Sequence, residues 1–450
     1  MMKMLTRVVM TLLAIMTVSM AWAVGGDEYY QYSVDLKNYI SKETGKAPTA
    51  YLWVPDGCCE VKAVVFAQQN MTEEAILKHP SFRRQMADIG VALLWVEPWF
   101  SQSWNPESGC QDIFEEMMTD IAFQANHPEV AKAPMIPRGH SAQATFPWNF
   151  AAWNPTRTLC IVSFHGDAPR TNLCGYGGAN IEWGRTRNID GIPGLMIEGE
   201  YEWWEARVTP ALAFRMMYPG SCISFLCDTG RGHFDCDNRT VDYMAMFIRK
   251  SMEKRLRADG TLERLDPNDG VFVERYRADM PQNDGTDKGT MSRWQQSKAT
   301  VDPHDCFWYI DEEMATLTRK IHAESHGKKM QYMGVESHGR LVAPNPKVQC
   351  GMEAAFEPEA DGVTIKIRAV YTDSTHTALT KAHSHKPPRM EVISGPVRKI
   401  SDDTFRIYPY EAGFDNLRRS FTCLLVAIGD ADENYRGAVQ PVMIRYSLEK

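Results

Sequence analysis

Short apolar runs alternate with helical patterns from residue 50 to residue 250. The runs at 50–54, 63–67, 91–96, 134–138, 159–164, 194–198 and 222–227 are nearly continuous in apolar residues. That predicts strands covered on both faces, because a strand with one wet face alternates apolar and polar side chains. Between them, 81–88, 112–126, 142–152, 203–217 and 241–254 read as helices, with Ile113, Met117, Ile121 and Phe123 marking one apolar stripe. Strand and helix in alternation predict an α/β domain with a mostly parallel sheet and helices on both faces.

The texture changes after Arg257. Residues 258–300 are poor in apolar runs and rich in Asp, Gly, Arg and Gln, so 258–350 is expected to be an extended connection with a short helix near 311–322. From 351 to 450, period-2 segments at 363–370, 389–393, 404–408, 421–428 and 439–446 are separated by turn residues. This is the pattern of a small antiparallel, sandwich-like β domain. At the other end, Lys3 and Arg7 precede an apolar run over 8–18, and Ala21-Trp22-Ala23 offers a cleavage site. Residues 1–23 therefore read as a signal peptide, too short in its apolar part to span ~30 Å of hydrocarbon. The expected product is exported, without stable membrane insertion, and its α/β domain occupies 24–257.

Composition narrows the function. Hydrophobic residues are 44% and charged ones 24%, enough apolar material for real cores and against disorder. The net charge of −8 argues against a nucleic-acid partner, which requires a basic footprint. Eleven cysteines are an odd number spread over a long chain, so one or two disulfides are expected, not a dense framework. No C-x-x-C pair is present, and neither a metal nor a cofactor is called for.

The chemistry gathers around one turn. The 134–138 strand runs directly into Gly139-His140-Ser141-Ala142-Gln143, and a helix pattern begins at once. Strand, sharp turn and helix is how G-x-S-x-G presents a serine nucleophile. On these residues the chain resembles the α/β-hydrolase superfamily over roughly 45–256, departing from it at Gln143, where a second glycine is usual. The resemblance implies the chain order serine, acid, histidine. The strand at 192–197 is followed by Glu198-Gly199-Glu200-Tyr201-Glu202, and the strand at 222–227 by a Gly-rich loop carrying His233. Ser141 is thus the expected nucleophile, His233 the base and Glu202 the acid, with Glu200 and Glu205 in reserve. An aspartate is commoner at that place in the superfamily. For the oxyanion, Ala142 N–H is expected as one donor. The loop after the 63–67 strand should give the other, Gln69 first and Asn70 next, although the usual oxyanion glycines are missing there.

Other residues invite weaker readings. Trp99, Trp183 and Trp203 fall in loops beyond strand ends, where ligands of open α/β sheets bind, whereas Trp148 and Trp153 read as packing. Asp167, Arg170 and Arg185 lie in the same loops. His322 with His326, His383 with His385, and the 175–178 glycine loop are read as structural, not as metal or phosphate sites. None of the twelve tryptophans follows Trp308, which argues against a tryptophan-platform sugar module at the C-terminus. The combined expectation is an exported serine esterase, similar to secreted carbohydrate esterases that remove acetyl or feruloyl groups from polysaccharides. A peptidase of the same superfamily is one alternative. The other is a non-catalytic glycan-binding protein that retains the fold, favoured by the degenerate elbow.

Overall fold

The computed structural model describes residues 30–171, 181–183, 188–202, 204–277, 302–342, 353–355, 363–381, 386–408 and 420–447. Eight strands form one sheet: β1 (Tyr32–Asp35), β2 (Thr49–Trp53), β3 (Ala63–Gln68), β4 (Val91–Glu97), β5 (Met135–His140), β6 (Ile161–Phe164), β7 (Pro193–Gly199) and β8 (Cys222–Asp228). Their spatial order is β1-β2-β4-β3-β5-β6-β7-β8. β2 pairs antiparallel with both β1 and β4, and every pair from β4 to β8 is parallel. Strands β5 to β8 are buried at every residue, the physical counterpart of their unbroken apolar sequence. Alternate side chains of β3 feed two cores, Val65 and Ala67 on one face and Val64 and Phe66 on the other.

Helices cover both faces: α1 (Glu73–Leu77), α2 (Pro80–Ala87), α3 (Cys110–Ala125), α4 (Phe146–Trp153), α5 (Trp204–Met217) and α6 (Asn238–Arg255). This is the mostly parallel α/β sheet, with helices on both faces, that the sequence predicts. Two elements escaped the reading. β1 is a half-exposed edge strand, and α1 has only five residues.

The segment 258–350 is not merely an extended connection. Val271–Glu274 pairs antiparallel with Cys306–Tyr309, and Phe272, Val273, Phe307, Trp308 and Tyr309 are buried in the same core as β7 and β8. A further helix, α7 (Glu312–Ala323), opens with Asp311, whose carboxylate accepts the Met314 N–H at 3.0 Å. Two four-residue strands far apart in sequence leave no local period to read.

The β domain begins earlier than residue 351, with Tyr332–Ser337 paired to Arg340–Leu341 and Arg368–Thr372. Ser420–Gly429, Ala438–Ser447, Arg389–Ser394 and Glu353–Ala355 make its largest sheet. Thr404–Ile407, between Val363–Lys366 and Val397–Lys399, makes a third. All three sheets share one core around Val335, Phe405 and Leu425. The opposite face of the largest sheet is also buried: Leu424, Val426, Ile428 and Val439 form a cluster against which Ala75 of α1 packs. Among the described residues nine cysteines are unpaired, seven of them buried, so the expected disulfides are not found there. Buried thiols behave here as small apolar side chains. Among the described residues no helix is long and apolar enough to cross a membrane.

Candidate active site

Serine, acid and histidine all follow the carboxyl ends of sheet strands. β5 ends at His140, and Ser141 adopts φ +53°, a left-handed conformation rare outside glycine. A single 3₁₀ turn (Ser141–Gln143) and then α4 carry the chain away, leaving Ser141 at the point of an elbow. Clearance there is small. A β-carbon on Gly139 would lie 2.0 Å from Gln143 O, and one on Gly166, just beyond β6, 1.9 Å from the Ala144 β-carbon. Gln143 is buried and turns its amide toward Gln69 O at 3.5 Å, while Gly166 and Ala144 supply the tight approach.

Ser141 Oγ lies 2.7 Å from His233 Nε2, and His233 Nδ1 lies 2.5 Å from Glu202 Oε2. The other glutamates do something else. Glu200 Oε2 accepts the Gly230 N–H, its Oε1 accepts Tyr276 OH and Arg436 Nη1, each at 2.8 Å, and Glu205 is exposed on α5. Glu202 is held by three hydrogen-bonding partners and one charge contact. Its Oε1 takes Gly199 N–H at 2.5 Å and faces His165 Nδ1 at 3.0 Å; Oε2 takes His233 and, at 3.0 Å, Arg207 Nη1. Burial alone would raise its pKa, but His165 and His233 beside it outweigh burial and hold the carboxyl well below the usual range. Glu198 is pushed the other way, by burial and by the charge of Glu202, although Arg207 contacts it at 2.5 Å. Two neighbouring carboxyls are thus driven apart, with the charge kept on the one beside the histidine.

His140 knits three loops together. Its N–H donates to Glu73 Oε1 at 2.7 Å, its carbonyl accepts Asn70 Nδ2 at 2.6 Å, and its Nε2 donates to His233 O at 2.8 Å. Burial and the neighbouring His233 and His165 depress its pKa well below the ordinary imidazole value. Glu73 Oε2 also accepts the Met71 N–H at 2.7 Å, and burial raises the Glu73 carboxyl against the pull of Arg138. Nothing local in the sequence marks Glu73, His165 or Arg207 as site residues, apart from the position of His165 just past a strand end. Ring nitrogens of His140, His165 and His233 fall within 4.8 Å of one another, a grouping that could hold a metal ion. Such an ion would compete with Ser141 and Glu202 for His233.

The oxyanion loop departs from expectation at one residue. Gln69 N–H donates to Val96 O at 2.8 Å, continuing the β3–β4 pairing. An amide so committed is not available as an oxyanion donor, so the expectation for Gln69 is corrected, and Asn70 is the candidate left in this loop. Among the described residues no acceptor takes the N–H of Asn70 or of Ala142.

The tryptophans divide. Trp99 is half-buried and donates to Glu43 Oε2 at 2.8 Å; that carboxylate also holds Gln102, whose amide reaches Ala142 O at 3.3 Å. Trp99 is therefore linked to the elbow through two residues, Glu43 and Gln102. Trp183 does not line a cleft: it is buried, packs on Phe214 and donates to Asn149 Oδ1 at 2.7 Å. Its flanking residues hid that core role. Trp203 lies outside the described residues, as do Arg185, the 175–178 loop, the His383–His385 pair and the signal segment. Trp148 and Trp153 pack in the cores. Asp167 is buried near Arg207, whereas Arg170 bonds Tyr218 OH and Glu182. His322 is buried and accepts the Cys227 N–H at 3.0 Å, and burial lowers its pKa to about 3.

No protein-family model matches the chain, and no curated protein matches it. Solved structures do. A truncated carbohydrate esterase from gut microbiota is 14% identical with TM-score 0.36, over 51% of this chain and 99% of that one. A substrate-bound fluorophosphonate-binding serine hydrolase of Staphylococcus aureus is 13% identical with TM-score 0.34, over 49% and 97%. A dienelactone hydrolase from Anabaena variabilis is 15% identical with TM-score 0.31, over 50% and 98%. At that level the likeness concerns the fold of about half the chain.

Proposed function

We propose that the chain is an exported serine hydrolase that cleaves carboxylic esters through an acyl-enzyme on Ser141. The observation that carries this is the unbroken relay from Ser141 Oγ through His233 to a charged, buried Glu202. In the proposed cycle Oγ attacks the ester carbonyl while His233 Nε2 takes its proton, and Glu202 stabilises the imidazolium. The N–H groups of Ala142 and Asn70 receive the oxyanion, each worth ~3 kcal/mol of barrier in sites of this kind. His233 then protonates the departing alcohol, and water repeats the sequence on the acyl group. Half-buried Trp99, linked to the elbow through Glu43 and Gln102, supports a flat or ring-bearing substrate, and acetyl or feruloyl esters on polysaccharides fit that description. An intact relay speaks against a glycan-binding protein that has lost catalysis. A fluorophosphonate probe is expected to label the folded chain, and Ser141→Ala to abolish both labelling and ester turnover. Labelling that survives Ser141→Ala would sink the proposal.

A further inference from the structure

We propose that Arg436, in the β domain, is a positioning residue for the Ser141 reaction, acting through Glu200 on the two loops that carry Glu202 and His233. The inference rests on the serine-hydrolase reading above.

Arg436 lies in the turn joining Ser420–Gly429 to Ala438–Ser447. Its Nη1 donates to Glu200 Oε1 at 2.8 Å, its Nε to Lys328 O at 3.0 Å, and its backbone N–H to Lys329 O at 2.9 Å. The Glu200 side chain is only 2% exposed. It reaches into the histidine loop through the Gly230 N–H and into the 258–350 segment through Tyr276 OH, both at 2.8 Å. Backbone bonds complete the tie, from Glu200 N–H to Asp228 O at 3.1 Å and from Tyr201 N–H to Arg231 O at 2.8 Å. The β domain also touches the histidine loop directly. A β-carbon on Gly230 would lie 2.1 Å from Gly437 O, so the two backbones meet with nothing between them.

Glu202 stands two residues beyond Glu200, and His233 three beyond Gly230. A carboxylate this deeply buried needs a cation, and among the described residues Arg436 is the one seen to meet it. Without it, the Glu200 carboxylate keeps only the Gly230 N–H and Tyr276 OH as side-chain partners, and the shared anchor of the two turns loosens. Catalytic relays are sensitive to such loosening, a 1 Å misplacement costing on the order of 10²-fold.

The test uses full-length Arg436→Met, Glu200→Gln and the double variant. Ester turnover is divided by the number of serines titrated with fluorophosphonate, so misfolded molecules are not counted. Each single variant is expected to lose about 10- to 100-fold in kcat per titrated serine, with KM for a small ester nearly unchanged. The double is expected to be no worse than the poorer single, because both break one contact. Arg436→Lys, which keeps the charge and a bond to Glu200, is expected to recover most of the rate. Wild-type kcat per titrated serine in Arg436→Met, or in Glu200→Gln should the former not fold, overturns the proposal, as do multiplying losses in the double. Failure of the wild-type serine to react overturns the serine-hydrolase reading and this inference with it.

Discussion

At the scale of single residues, the site is a contest over charge. Glu202 carries three hydrogen-bonding partners and faces His165, whereas Glu198, one turn of chain away, is buried beside it and driven toward its neutral form. Glu202→Gln is therefore expected to lower kcat by about 10³–10⁴, as loss of the orienting acid does in other triads. Exposed Glu205→Gln should match wild type in the same ester assay. Asp235, two residues past His233, offers a second check. Burial raises its pKa to about 7, with the Gly232 N–H at 2.6 Å opposing that shift. A carboxyl raised above its unfolded value of 3.8 makes the folded state hold the extra proton, so its contribution to stability falls as pH rises through that window. Asp235→Asn should then gain in Tm over wild type by more at pH 8 than at pH 5. A difference in Tm that stays flat with pH would contradict that assignment.

At the scale of elements, the elbow between β5 and α4 decides whether Ser141 is presented at all. Strand, 3₁₀ turn and helix crowd so closely that Gly139 has no room for a methyl group. The obstacle is the Gln143 backbone, which a rotamer change cannot move. Gly139→Ala is expected to cost about 1–3 kcal/mol, the usual range for overpacking, and to slow fluorophosphonate labelling. Thermal unfolding and the labelling rate check both halves of that claim. The same crowding explains how the chain manages with Gln143 in the pentapeptide. The approach that demands a small residue falls at Gly166 and Ala144, on elements that a five-residue motif cannot see.

At the scale of the molecule, the β domain is more than an appendage. Its largest sheet is buried on both faces, one against its own core and one against α1, the short helix that follows the oxyanion loop. Met443 of the same sheet packs on Met71 and Phe234, the chain neighbours of Asn70 and His233. Val426→Asp would place a carboxylate in that seam, where burying an unpaired charge is costly. The variant is expected to lower Tm and ester turnover together. A stable variant with wild-type turnover would show that the seam does not support the site.

The sequence by itself determined the α/β sheet, because strands covered on both faces must be written as unbroken apolar runs. It also made Ser141, His233 and, ahead of Glu200 and Glu205, Glu202 the candidates for the relay, since chain order and strand ends restrict where each can stand. What it could not decide were relations between distant segments. Gln69 was misjudged because one carbonyl across the sheet, that of Val96, claims its amide. Trp183 was misjudged because loop neighbours surround a ring that is buried. The strands at 271–274 and 306–309, the grip of His165 and Arg207 on Glu202, and the reach of Arg436 to Glu200 exist only once the chain has closed on itself. Periodicity reports the surroundings of one segment, whereas hydrogen bonds between remote segments are settled by tertiary packing.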